Sequence, residues 1–283
     1  MTDDTDDTGK PRREITARRT VVLGTLAAAV TGVAAGAAPI VPLGGHAPGH
    51  VMLAAGEGEG EGEGEGGEGE GGEGAALDPE AALMRDLGFM QGHLRAGLAL
   101  YEAGDLDAAR THMGHPIKEK YDAVAAPLAE RGLDRLKAGI SALADAAEAE
   151  TPMAGIAPLY DRVAATIDEA RAGASMTHRI GGLIALTRVA GDEYTAGTAG
   201  GRIANLHEYQ DSWGFLQVVR DQLVKIAGDG DADIATVATR MLDALKATDA
   251  VFGDLQGQGS FDMDPGAIYG AAARMEFAAV RLK

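Results

Sequence analysis

Residues 79–102, PEAALMRDLGFMQGHLRAGLALYE, set Leu83, Leu87, Met90, Leu94, Leu98 and Tyr101 at steps of three and four. That spacing lines the side chains along one stripe of an α-helix, which can then bury them together. The helix starts at Pro79, and Gly104-Asp105 ends it.

Beyond this helix the pattern continues. Ala is abundant, and the alternation of Val, Ile and Thr that marks strands is scarce. A short helix is expected to Met113, where Gly114-His115-Pro116 breaks the chain. Pro116 then suits the first position of another helix, which ends before Pro127. Helices follow over residues 133–149 and, from Thr151-Pro152, to about residue 172, with Pro158 distorting the first turns of the second. Ser175 or Thr177 opens a helix to Thr198, Gly200-Gly201 turns the chain, and residues 203–226 return. Asp233 caps residues 234–246, and a Gly-rich loop over 253–260 leads to Asp264-Pro265 and a last helix. The fold class is therefore all-α, a helical bundle of about eight helices without a sheet. Residues 87–112 and 186–211 share one plan of helix, Gly turn and His-bearing helix, which suggests two pseudo-symmetric helical-hairpin halves.

The bundle is expected over residues 77–283. Two different segments precede it. Residues 1–55 read as a twin-arginine-type signal peptide and its c-region: Arg18-Arg19 stands before an uncharged, Ala-rich run from Thr20 to Gly56. Ala35-Gly36-Ala37 and Ala54-Ala55 are both candidate cleavage points. Residues 56–76 contain a Gly/Glu alternation with no apolar side chain until its end, the composition of an extended, disordered linker. The expected location is periplasmic, and no later apolar run reaches the roughly 20 residues of a membrane helix.

The formal charge of −18 arises from 25 basic and 43 acidic residues, and no cysteine is present. Thiol, cysteine-zinc and iron–sulfur chemistry are thereby excluded. An acidic surface repels nucleic acid, which needs clustered Lys and Arg, and favours cations.

Three places carry candidate chemistry. His93 follows Gly92 at the edge of the first helix's apolar stripe, and Gly92, Ala96 and Gly97 leave room for another helix or a ligand. His112 and His115 lie three apart, with Glu119 one turn beyond. His207 and Asp211 lie four apart on one helix face, with Glu208 beside them. Imidazole with carboxylate suits iron, copper, zinc or nickel. The His207–Asp211 stretch has Asp211 where a zinc protease would carry its second His, which removes the basis for peptidase chemistry. The di-iron signature of Glu followed three residues later by His is missing, as are a phosphate loop, a dinucleotide fingerprint and a nucleophile elbow. No enzyme is expected.

Two segments also resemble a known family. They are Gly88-Phe89-Met90-Gln91-Gly92-His93-Leu94, and Glu193-Tyr194 through Gly201-Arg202-Ile203 to Glu208-Tyr209-Gln210-Asp211. They resemble the periplasmic helical modules that accompany bacterial high-affinity iron permeases. The two-hairpin plan is similar to that of imelysin-like proteins, although their G-x-H-x-x-E motif is absent. The resemblance implies a role in iron or other transition-metal handling beside a membrane metal transporter, with His93, Glu193 and Glu208 as the residues it points to. The expected function is thus an exported metal-binding protein, iron preferred and copper or zinc next. Its candidate ligands are His93, His112, His115, Glu119, Glu193, His207, Glu208 and Asp211. Two other readings stay open: a helical interaction module without metal, and a haem-binding protein using His93 with Met90 or another His.

Overall fold

The computed structural model describes residues 77–228, 230–259 and 261–282. The expected signal segment and linker lie outside the described residues. Among those described there are nine α-helices and no strand. They are α1 (Pro79–Ala103), α2 (Leu106–Glu119), α3 (Tyr121–Glu130), α4 (Arg135–Glu148), α5 (Met153–Ala172), α6 (Met176–Gly197), α7 (Leu206–Ala227), α8 (Ala232–Leu245) and α9 (Gly266–Ala279). No helix among the described residues is long and apolar enough to cross a membrane.

Local chemistry sets most of the helix ends. The Asp78 carboxylate accepts from the Glu80 N–H at 2.9 Å, and Gly104 ends α1 with φ at 85°, a left-handed conformation that costs glycine no Cβ clash. Ser175 rather than Thr177 caps α6, its hydroxyl accepting from the His178 N–H. Two boundaries differ from expectation because a better cap lay nearby. Asn205 starts α7 at Leu206, and Asp231, not Asp233, caps α8 by accepting from two backbone N–H groups.

The expected break at Gly114-His115-Pro116 does not occur. Pro116 lies inside α2, and Pro127 inside α3. An interior proline removes a helical hydrogen bond at a cost of about 3 kcal/mol, which favourable packing can offset. Pro116 is buried together with Ala109, His112 and Met113, so α2 keeps one continuous inner face to Glu119.

The helices close into two rings of four. In one, α1 packs on α2, α2 on α4, α4 on α5, and α5 on α1. In the other, α6 packs on α7, α7 on α8, α8 on α9, and α9 on α6. Each ring encloses its own apolar core. The first is built around Leu87, Met90, Leu94, Leu136, Ile140 and Ile167. The second centres on Leu186, Tyr194, Phe215, Leu223, Met241 and Met275. The two-halves expectation thus corresponds to matching connectivity. Strict symmetry is absent, since α1 packs extensively against both α6 and α7.

That seam depends on small residues. A Cβ on Gly214 of α7 would lie 2.3 Å from the Gly92 carbonyl oxygen of α1, and one on Gly92 would lie 2.2 Å from the Phe215 ring. A Cβ on Gly97 would meet the Met113 side chain at 2.8 Å, so α2 is also drawn in close. Polar ties complete the seam. Arg171 of α5 donates to Gln91 of α1 at 2.6 Å, and Gln222 of α7 donates to Asp168 at 2.9 Å.

Gly214→Ala should therefore push backbone against backbone and destabilise the domain by about 2–3 kcal/mol. Gly114→Ala is the matched control, because a Cβ there meets nothing within 4 Å; it should stabilise by about 0.5–1 kcal/mol through helix propensity. Urea unfolding of the two variants checks both signs, and a neutral Gly214→Ala would refute the close-contact account.

Candidate metal centre

Four helices deliver the candidate residues to this seam. His93 comes from α1; His112, His115 and Glu119 from α2; Glu193 from α6; and His207, Glu208 and Asp211 from α7. On α2 the steps of three and four put His112, His115 and Glu119 on one face, and Pro116 does not disturb it because the helix runs through.

Asp211 is the hub, and it is buried. Its Oδ1 lies 2.6 Å from His93 Nδ1 and accepts from His112 Nδ1 at 2.8 Å, while its Oδ2 lies 3.9 Å from His207 Nδ1. Glu119 stands between two rings, 3.4 Å from His93 Nε2 and 3.3 Å from His115 Nδ1. The rings crowd each other: His93 and His115 meet edge-on at 5.5 Å, His115 and His207 lie 4.8 Å apart, and His112 stacks on His207 at 4.1 Å. Phe89 and Phe215 wall the apolar side against His93.

Not every nitrogen in this group is satisfied. His93 is 2% exposed, yet neither of its ring nitrogens has a hydrogen-bond partner. Its close approach to Asp211 Oδ1 is off the N–H direction, so the attraction is one of charge and not a formed hydrogen bond. His115 Nδ1 and His207 Nε2 are buried without partners as well. Buried polar atoms are normally paired with protein or ordered water, so four unpaired imidazole nitrogens in one place leave this group able to accept a ligand. His112 is the exception. Its Nε2 faces the Gln210 oxygen at 2.8 Å, an orientation set by the Gln210 amide N–H donating to the Leu255 carbonyl at 2.8 Å.

Electrostatics separates the four rings. Burial opposes charge on His93, but the Asp211 carboxylate and then Glu119 outweigh it and push His93 up to about 10. Burial lowers His115, and burial with the neighbouring His112 pushes His207 down to about 4, so both present neutral imidazoles at neutral pH. Burial alone would raise Asp211; the charge on His93 and the hydrogen bond from His112 hold it well below the usual carboxylate range. Glu193 goes the other way. Burial, a hydrogen bond with Glu208 and the charge of Glu208 push it up to about 9.

Six of the eight candidate residues, His93, His112, His115, Glu119, His207 and Asp211, meet here; Glu193 and Glu208 pair with each other and reach the group through charge. Sequence reading did not single out Gln210 as a partner, since an amide beside a histidine carries no ligand signature. Nor did it give Phe215 as a wall. Of the five histidines in the described residues only His178 stands apart, paired with Asp78 at 3.4 Å.

Comparison with known proteins finds a similarity over the second ring. Residues 169–276 match the family model described as the iron permease-associated 4-helix bundle domain. The match runs from the end of α5 to the last turn of α9, so its four helices are α6 to α9. The chain is therefore similar to iron-permease-associated helical proteins. The matched segment contains Glu193, His207, Glu208 and Asp211, whereas the α1 and α2 ligand candidates lie outside it. No curated protein and no solved structure matches the chain.

A carboxyl kept protonated by the fold loses stability as pH rises from its ordinary value near 4.5 towards about 9. Glu193→Gln keeps the shape and removes that loss. In chelator-treated protein it should raise the melting temperature by about 2–6 °C at pH 8 and leave it unchanged at pH 4. An equal shift at both pH values, read by calorimetry, would contradict the protonated Glu193.

Proposed function

We propose that this is an exported transition-metal-binding protein, with iron the preferred ion, acting in uptake or homeostasis beside a membrane metal transporter. The observation that carries the reading is the buried His93 ring with both nitrogens unpartnered, set among three further histidines, Asp211 and Glu119. Nitrogen and oxygen donors of this kind suit first-row divalent ions. The similarity of residues 169–276 to an iron permease-associated domain supports iron and a permease as partner. His93, His115 and Asp211 would hold the ion, with Glu119 completing the shell. His112, itself held by Gln210, would orient Asp211, as hydrogen-bonded neighbours of metal ligands commonly do. Kinship with imelysin-like proteins belongs to the same proposal. The haem alternative gains nothing from Met90, which packs in the core of the first ring.

Because ligation needs neutral imidazole, an ion must displace the proton that His93 holds up to about 10. Affinity should fall by about tenfold per pH unit of acidification for each proton displaced. Calorimetry with Fe(II) under anaerobic conditions, and with Cu(II) and Zn(II), should give a dissociation constant below about 0.1 mM at pH 7.5. His93→Ala should weaken it by about 10–100-fold. Weak binding, or binding unaffected by His93→Ala, would refute the centre and favour an interaction module without metal.

The location is tested separately. Replacing Arg18 and Arg19 by Lys should block export of a twin-arginine substrate, seen as protein retained in the cytoplasmic fraction; unchanged export would refute that route.

A further inference from the structure

The four imidazoles do not form one cage. Their ligand atoms fall into two groups, His93 with His115 and Asp211, and His112 with His207 and Asp211; within each group all atoms lie inside 4.8 Å of one another. Asp211 alone belongs to both. Orphaned nitrogens occur in each group as well: both of His93 and Nδ1 of His115 in the first, Nε2 of His207 in the second.

The two groups are not equally prepared. His93 and His115 meet at 75°, so their ring planes can converge on one point. Glu119 already touches a nitrogen of each, at 3.4 and 3.3 Å. His112 and His207 instead lie parallel, with 10° between their planes. Lone pairs of stacked rings run side by side and cannot meet on one ion. One ring must turn, and His207 is the less constrained of the two. Its side chain is 28% exposed and sits in the first turn of α7, whereas His112 is fully buried and held at both nitrogens.

Pairs of metal ions about 3.5–4 Å apart are a common arrangement, and Asp211 has two carboxylate oxygens, one for each group.

We propose that the seam is a two-ion centre in which Asp211 bridges the ions. The His93/His115/Glu119 side fills first, with His112 still bonded to Asp211; the His112/His207 side fills after His207 turns out of its stack and His112 Nδ1 gives up its proton and its hydrogen bond to Asp211. This rests on the transition-metal reading of the same residues.

The test loads chelator-treated full-length chain with Co(II), counts retained ions by native mass spectrometry after desalting, and follows the electron paramagnetic resonance signal. Wild type should retain two ions, the second bound about tenfold more weakly or worse. The signal should grow to one equivalent and then be attenuated by coupling through the bridge. His207→Ala should retain one ion with the first affinity unchanged and no coupling. Asp211→Asn should lose the second ion and weaken the first. Should that buried substitution fail to fold by circular dichroism, the part-exposed His207→Ala still decides the matter. Saturation of wild type at one ion would overturn the two-ion centre while leaving the metal-binding function intact. Two uncoupled ions, indifferent to His207→Ala, would overturn the bridge. Retention of no ion would overturn both readings.

Discussion

The contact of Gly92 with Gly214 is the constraint from which the rest follows. A Cβ at Gly214 would stand 2.3 Å from the Gly92 carbonyl oxygen, so α1 and α7 meet backbone to backbone. Each glycine precedes or follows the chemistry closely: His93 is next to Gly92, and Asp211 is one turn before Gly214. The crossing therefore brings the two side chains to 2.6 Å. Mid-helix glycine costs about 1 kcal/mol relative to alanine. Here that cost is offset by close packing along a seam that joins two rings of helices with separate cores.

The seam concentrates charge where charge is expensive. An ionised carboxylate in an apolar interior is tolerated only when paired and hydrogen-bonded. Asp211 obtains the charge of His93 and a hydrogen bond from His112, which account for its ionisation. The arrangement leaves other groups short. His93 keeps two unpartnered nitrogens, and Glu193 stays protonated beside Glu208. A divalent cation would relieve both, since it accepts imidazole nitrogen and lets neighbouring carboxylates ionise together. The Gln210 amide, locked to the loop carbonyl of Leu255, makes the second ring's loop part of the same network.

Much of the fold was legible in the residues. The stripe Leu83, Leu87, Met90 and Leu94 is buried as periodicity requires, and the turn at Gly104 stands where glycine ends the first helix. The matched plans of residues 87–112 and 186–211 correspond to α1–α2 and α6–α7, the leading hairpins of the two rings. Pro116 was misread because a local rule, the missing N–H, was weighed without the packing that overrides it. The cap at Asp231 was misplaced for a simpler reason: in Asp231-Ala232-Asp233 two carboxylates compete, and only geometry chooses.

By itself the sequence determined the helices, their apolar faces, the lack of thiol chemistry and the residue types able to hold a cation. These depend on spacing and side-chain chemistry within a turn or two. Only the tertiary structure decided that histidines up to 114 positions apart, His93 and His207, share one centre with Asp211 as hub. Periodicity gives the face on which a side chain lies, but not which helix covers that face. That choice is made by the distance at which backbones can meet, and here two glycines on different helices had to coincide.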